Sequence, residues 1–330
     1  MPAVSIVETV GGPVEVNDLG QTLMHEHVFV LATEHLDNYG RGAWWDEEAR
    51  VADAVAKLRA LVAKGVTTVV DPTVWGLGRY IPRMQRIAAE VPGLNIIVAT
   101  GLYMFDGVPH QYEMRGPGLI MDVPEPMVED FVRDITEGIA DTGVKAGLLK
   151  CVVEQQGLTP GVERICRAVA QTHLRTGAPV TVHTNAAARS GLAALGLFVK
   201  EGVDPGRIVI GHAGDSNDLD YLMRLADTGA ILGMDRFGLD LYNPTPARVE
   251  TIVALCERGY ADRMVLSHDA ACFSDFFGGA WDEVMQVTPN WRYDHIHDDV
   301  LPALRERGVG DGLIRQMLVD NPRRYFTREG

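Results

Sequence analysis

The sequence predicts a single (β/α)8 barrel, a TIM barrel, over residues 1–330. Three observations predict it. Eight short runs of Val, Ile, Leu and Thr alternate with helical patterns along the chain, as a closed parallel barrel requires. Most of these runs are aliphatic throughout, which suits strands buried on both faces. Residues of metal-ligand or metal-bridging type, His25, His27, Lys150, His183, His212 and Asp269, end or follow such runs. Strands that all carry such groups at their ends aim them at one mouth. A doubly wound open sheet is the competing fold, but no glycine-rich phosphate turn opens its first helix.

The strands follow in order. Residues Gln21 to Val30 form the first, GVTTVVD ending at Asp71 the second, and LNIIVAT ending at Thr100 the third. AGLLKCV, VTVHT, RIVIGH, AILGMD and MVLSHD complete eight. The helix WDEEARVADAVAKLRALVAKG opens with acids and closes on Gly65, the order that caps and the helix dipole favour. Later helical patterns also end in Gly before the next strand. Asp218 and Asp220 start one of them. Two segments break the rhythm: residues 101–122, and the aromatic-rich residues 270–299. Both follow strands and belong at the mouth, where long loops shape pockets. The tail VGDGLIRQMLVDNPRRYF reads as a closing helix stopped at Asn321-Pro322.

Composition excludes several classes. The net charge of -15 at pH 7 repels phosphate backbones and anionic membranes, so no nucleic-acid partner is expected. The amino-terminal MPAVSIVETVGGPVEV has no basic start and no continuous apolar stretch, and nothing in the chain is long enough to span a bilayer. A cytoplasmic protein is expected. Cys151, Cys166, Cys256 and Cys272 form no CxxC pair, which argues against a zinc ribbon or a disulfide framework. Cys166 and Cys256 read as core residues.

The strand ends carry the chemistry. His25 and His27 are two apart, so a strand puts both imidazoles on one face and Glu26 on the other. Asp269 ends the eighth strand, beside the first once the barrel closes, and completes a site with them. His183 and His212 end neighbouring strands and share a second ion. Lys150 lies between the two sets. A protonated lysine would repel two cations, whereas a neutral amine can react with carbon dioxide to give an anionic carbamate long enough to bridge them. Two bridged divalent ions hydrolyse an ester-like bond through a shared hydroxide. Zinc, cobalt, iron and manganese all suit such ligands. Asp269 is also a proton acceptor, and Asp215 and Arg236 pass the proton outward or position the leaving group. His268 and Asp71 read as structural, and His295 and His297, a second HxH, as packing or surface residues. Phe276 and Phe277 belong either to the core or to an apolar groove.

HEH, KAGLLK, VTVHT, GHAGD, GMDRFG and SHD, in this order over nearly the whole chain, resemble the phosphotriesterase family of the amidohydrolase superfamily. GMDRFG and the Tyr of ATGLYMF resemble its lactonase branch. The resemblance implies opening of N-acyl-homoserine lactones and other apolar lactones, a quorum-quenching activity, with weak organophosphate triester hydrolysis beside it. It implies that His25, His27 and Asp269 hold the more buried metal, that His183 and His212 hold the exposed one, and that Lys150 is carboxylated. It also implies a homodimer, places Tyr103 beside the attacked oxygen, and puts Arg236 near the mouth. The loop after Asp269, AACFSDFF, is expected to choose the substrate, with Cys272 and Phe273 in the pocket wall. Asn185 departs from the pattern, since relatives have His there. The rival readings are a dedicated phosphotriesterase or carboxylic ester hydrolase, and a barrel that binds a ligand without catalysis.

Overall fold

The computed structural model describes residues 5–40 and 45–327; the first four residues of the amino-terminal stretch lie outside the described residues. A hairpin of β1 (Ile6–Thr9) and β2 (Gly12–Glu15) comes first. The strands that follow are β3 (Gln21–Leu23), β4 (His27–Val30), β5 (Val66–Asp71), β6 (Asn95–Gly101), β7 (Leu148–Val153) and β8 (Val180–Thr184). The last are β9 (Ile208–Gly211), β10 (Ile231–Met234), β11 (Met264–Leu266) and β12 (Ala271–Ser274). Eight of them make one parallel sheet in the order β11-β10-β9-β8-β7-β6-β5-β3. Its ends meet where the Met24 amide donates to the Leu266 carbonyl at 3.4 Å. Above that seam the parallel pair β4 and β12 extends the closure. The fold is the expected TIM barrel.

Side-chain alternation explains how the barrel presents its site. Along β7, Leu148 joins the inner cluster with Val70, Ile97, Ala99, Val209, Ile231 and Val265, while Leu149 and Cys151 join the outer cluster under the helices. The period of two then turns Lys150 inward, one step nearer the mouth. On β8 the same step sets Thr181 inward, hydrogen-bonded to Tyr325 at 3.0 Å, with His183 above it. The lower barrel is thus a packed, mostly apolar plug, closed beneath by Tyr325 and Phe326, with the candidate ligands above it.

The structure changes two expected elements. The first strand is not continuous from Gln21 to Val30; it breaks between β3 and β4. The Glu26 side chain causes the break by taking ladder positions itself. It accepts from the His268 amide at 2.9 Å and from the Ala270 amide at 3.1 Å. The closing helix does not stop at Asn321-Pro322. Helix Asn321–Phe326 carries Pro322 in its first turn, where a missing N–H costs little. Asn321 instead ties the helix to the carbonyls of Ala261 and Met264 at 2.8 and 2.7 Å.

Candidate metal centre and substrate cavity

All six candidate ligands converge. Asp269 Oδ1 lies 3.4 Å from His25 Nε2 and 3.2 Å from His27 Nε2. Lys150 Nζ is 3.2 Å from His25 Nε2. His212 Nε2 is 3.0 Å from His183 Nδ1 and 3.9 Å from Asp269 Oδ2. Backbone geometry aims two of them: His212 (φ 64) and Asp269 (φ 53) are left-handed non-glycine residues. His and Asp tolerate that region better than most residues, and the remaining strain, of order 1 kcal/mol or more each, is typical of active sites. The Asp269 backbone is pinned on both sides. Its amide donates to the His25 carbonyl at 3.0 Å, and its carbonyl accepts from Trp291 Nε1 at 3.0 Å.

Hydrogen bonds outside the cage fix the imidazole tautomers. Asp235, fully buried, accepts from His25 Nδ1 at 2.9 Å and from His212 Nδ1 at 3.0 Å. An ionised carboxylate only accepts, so both imidazoles carry their proton on Nδ1 and turn a bare Nε2 inward. Thr73 Oγ1 lies 2.7 Å from His27 Nδ1. Glu154 accepts from His183 Nε2 at 3.0 Å, which leaves Nδ1 of His183 bare. Two lone pairs, on His183 Nδ1 and His212 Nε2, therefore face each other across 3.0 Å. That arrangement is unfavourable without a cation and suits a metal, as does the cluster of His25, His27 and Asp269. His25, His212 and Asp235 are also close, but Asp235 meets the protonated nitrogens and serves as a hydrogen-bond hub.

Titration follows from the same contacts. Burial, with the Lys150 charge, lowers His25; burial takes His183 down to about 4 and, with Arg236 nearby, lowers His212. These three rings are neutral, as ligation needs. Burial also opposes protonation of His27, but the Asp269 and Asp71 carboxylates outweigh it and hold it at about 9. A metal between His27 and Asp269 would take the place of that proton. Burial brings the Lys150 ammonium down to about 8. Burial and the Asp269 charge push the Tyr103 phenol up; its oxygen lies 3.4 Å from His183 Nδ1.

Arg236 donates through Nε to Asp269 Oδ2 at 2.9 Å and through Nη1 to Asp215 Oδ2 at 3.0 Å. Buried Arg248 holds the other oxygen of Asp215 at 2.7 Å. Asp215 thus reaches Asp269 only through a guanidinium, which does not deprotonate in proteins. Of its two expected roles, positioning fits this geometry and outward proton passage does not.

A cavity of about 460 Å³ opens over the cage. Its floor is His25, His27, Lys150, His183, Arg236 and Asp269, and its wall includes Tyr103, Leu241, Tyr242, Phe276, Phe277, Val287 and Trp291. Phe276 and Phe277 resolve toward the groove. Cys272 and Phe273 do not line it. Each is packed elsewhere: Cys272 Sγ contacts Tyr293 Oη at 3.3 Å, and Phe273 packs among Trp45, Trp281 and the Arg50 guanidinium. Their neighbours Ala271 and Ser274 line the cavity. His268 is structural, bound to Glu26 at 2.6 Å. Asp71 accepts the Val28 and Thr73 amides. His295 bonds Thr245, and His297 bonds Gln21. Asp218 caps its helix. Sequence reasoning missed Asp235 and Glu154. Each is an acid at or just past a strand end, and that was the available signal. It also missed Leu241 and Tyr242, whose loop carries no periodic pattern.

A barrel with this cage at its mouth is the architecture of a metal-dependent hydrolase. The chain belongs to the phosphotriesterase family, within the amidohydrolase superfamily: the family model matches residues 5–326. It is similar to the phosphotriesterase homology protein of Mycobacterium tuberculosis, with 55% identity over 325 residues covering 98% of each chain. A solved structure of the phosphotriesterase from Mycobacterium tuberculosis superimposes with a TM-score of 0.94, covering 98% of this chain and 99% of that one. The aryldialkylphosphatase of Saccharolobus solfataricus is 36% identical over 314 residues, covering 95% of this chain and 97% of that one.

Proposed function

We propose that this phosphotriesterase-family hydrolase is a lactonase that opens N-acyl-homoserine lactones and other apolar lactones, with slower hydrolysis of organophosphate triesters. One observation carries the substrate reading: an apolar cavity of about 460 Å³ that ends on the cage. Among the described residues, the one cationic side chain of its lining besides Lys150 and the histidines is Arg236, and two carboxylates already occupy that guanidinium. The wall is mostly apolar and offers no free cation among the described residues, so it suits an uncharged ester with a hydrocarbon chain.

In this reading His25, His27 and Asp269 would hold one divalent ion and His183 and His212 a second, and Lys150, carboxylated on its amine by carbon dioxide with loss of a proton, would supply an anionic ligand between the two sets. Zinc is the favoured metal, with cobalt, iron or manganese as substitutes. When bound, the ions supply a hydroxide nucleophile at neutral pH and polarise the attacked oxygen. The protein's own groups do the rest. Tyr103 orients the substrate oxygen beside His183. Arg236 holds Asp269 Oδ2, so that Oδ1 faces the cage. Asp269 accepts the proton released on attack, and the apolar wall aligns the chain and excludes water. A homodimer belongs to the same proposal.

The test is a panel of lactones of increasing acyl length and a paraoxon-like triester, assayed on metal-loaded protein by proton release. A larger kcat/KM for long-chain lactones is expected. A triester preferred by orders of magnitude would overturn the lactonase assignment. Less than one equivalent of metal after loading, or activity that survives chelation, would overturn the metal-dependent reading.

A further inference from the structure

We infer that Glu154, oriented by Asn185 and the Gln155 amide, is the positioning residue that fixes the proton of His183 on Nε2 and keeps Nδ1 bare toward the cage. The inference rests on the reading of His183 as a metal ligand, and it accounts for the departure at Asn185.

The argument is one of donors and acceptors. Asn185 Oδ1 accepts the Ala188 amide at 2.9 Å, so its amide group cannot flip, and Nδ2 must point at Glu154. There it donates to Oε2 at 3.0 Å. The Gln155 backbone amide donates to the same oxygen at 2.7 Å. These two donors set the rotation of the carboxylate, and Oε1 is left for His183 Nε2 at 3.0 Å. Both ends are anchored independently of the ring. The Ser190 hydroxyl accepts the Asn185 amide at 2.8 Å, and His183 is paired in the barrel wall through β8. Asp235 bonds His25 and His212. Among the described residues, Glu154 is the only carboxylate paired with the His183 ring. The Asn185 amide bonds Glu154 and the Ala188 turn at once.

The substitution Glu154→Gln gives a sharp prediction. The two fixed donors select the oxygen of the new amide, so its NH2 faces His183 Nε2. The ring must then accept there and carry its proton on Nδ1, inside the cage. The lone pair needed by the second ion is lost, with the 10- to 100-fold drop in metal affinity usual when a ligand's outer partner is removed. Asn185→Ala removes one of the two orienting donors, but Gln155 remains, so the tautomer is retained.

The experiment reads the tautomer directly. Histidine-15N-labelled protein is freed of metal, and long-range proton–nitrogen correlations are recorded, with the His183 signals assigned by comparison with His183→Ala. The expected result is Nε2–H in the natural protein and in Asn185→Ala, and Nδ1–H in Glu154→Gln. Nδ1–H in the natural protein, an unchanged tautomer in Glu154→Gln, or an inverted one in Asn185→Ala would each overturn the inference. Zinc content after loading is measured in parallel, with one of two equivalents lost in Glu154→Gln. Loss of the tautomer with full zinc retention would overturn His183 as a ligand while leaving the relay standing. A natural protein that binds no zinc would overturn the proposed function, and the tautomer measurement would still decide the relay.

Discussion

Asp235→Asn should weaken one metal site and spare the other, and the structure says which. Asp235 Oδ1 accepts two bonds from His212, the amide at 2.8 Å and Nδ1 at 3.0 Å, whereas Oδ2 accepts only His25 Nδ1 at 2.9 Å. An Asn has one oxygen to offer. With its NH2 toward His212, the NH2 would oppose a backbone N–H whose proton cannot move, leaving a buried donor unsatisfied at about 1–3 kcal/mol. With its NH2 toward His25, that ring shifts its proton to Nε2 and accepts. The second arrangement is therefore favoured by roughly 5- to 150-fold. His25 then presents an N–H to the cage and its lone pair is gone. The expected loss is 10- to 100-fold in affinity, about 1.4–2.7 kcal/mol, at the site of His25, His27 and Asp269. The His183 and His212 site should change by less than about 3-fold, since its outer partners remain. Zinc titration against a chromophoric chelator resolves the two classes. Equal loss at both sites, or loss confined to the second, would refute the hydrogen-bond logic.

Other consequences are equally specific. Arg248→Met leaves buried Asp215 with one guanidinium instead of two and removes bonds to the Asn243 and Gly214 carbonyls. Breaking a buried charged network typically costs about 3–5 kcal/mol, or about 6 °C in Tm for a chain of this length. Differential scanning calorimetry would show it, together with a fall in kcat as Arg236 loosens. Leu241→Lys and Val287→Lys, at residues 69% and 79% exposed on the cavity rim, should alter stability by no more than about 0.5 kcal/mol. They should raise KM for long-chain lactones about 5-fold, near the value of one or two buried methylenes, and leave short-chain substrates alone. Cys272→Ala should leave KM unchanged, because the thiol faces Tyr293 behind the wall; a shifted KM would return it to the pocket. Burial lowers His297 to about 4 from 6.5. The unfolded chain therefore takes up a proton first, and stability falls as pH drops from 6.5 to about 4. The loss is at most about 3 kcal/mol and nearer half that at this part-exposed site. Urea denaturation at pH 7 and pH 5 should show a smaller difference in His297→Gln than in the natural protein.

The barrel was legible in the sequence because buried parallel strands are aliphatic on both faces and the site residues close them. The convergence of the six candidate residues was legible for the same reason: a His or Lys that ends an aliphatic run has few structural uses. Two kinds of information were not. The break at Glu26 and the continuation through Pro322 depend on side chains that replace backbone partners from distant segments, and no local pattern encodes them. The cavity wall depends on where β12 lies once it pairs with β4, a strand more than two hundred residues earlier. Sequence reading placed Cys272 and Phe273 in the wall by proximity to Asp269, whereas Ala271, Ser274, Phe276 and Phe277 of that segment line it. Asp235 was in plain view at the end of AILGMD, but its role appears only when His25 and His212 are both beside it.

The cage and the wall are built on different footings, and this bears on how the activity can change. Each inward nitrogen is backed by a buried or anchored partner: Asp235, Thr73 or Glu154. Asp235 also bonds a candidate ligand of each set, His25 through Oδ2 and His212 through Oδ1. The residues that meet the substrate's chain are held far less. Leu241, Tyr242, Phe276, Phe277 and Val287 are all exposed by more than two-fifths and lie on loops or a short helix after β10 and β12. Substitutions there alter area against the substrate without touching the hydrogen bonds that set the tautomers. Substrate preference in this chain should therefore be separable from metal binding. Rim variants should change the ranking of lactones and triesters at constant metal content, whereas Asp235 and Glu154 variants should lower all activities together at constant ranking.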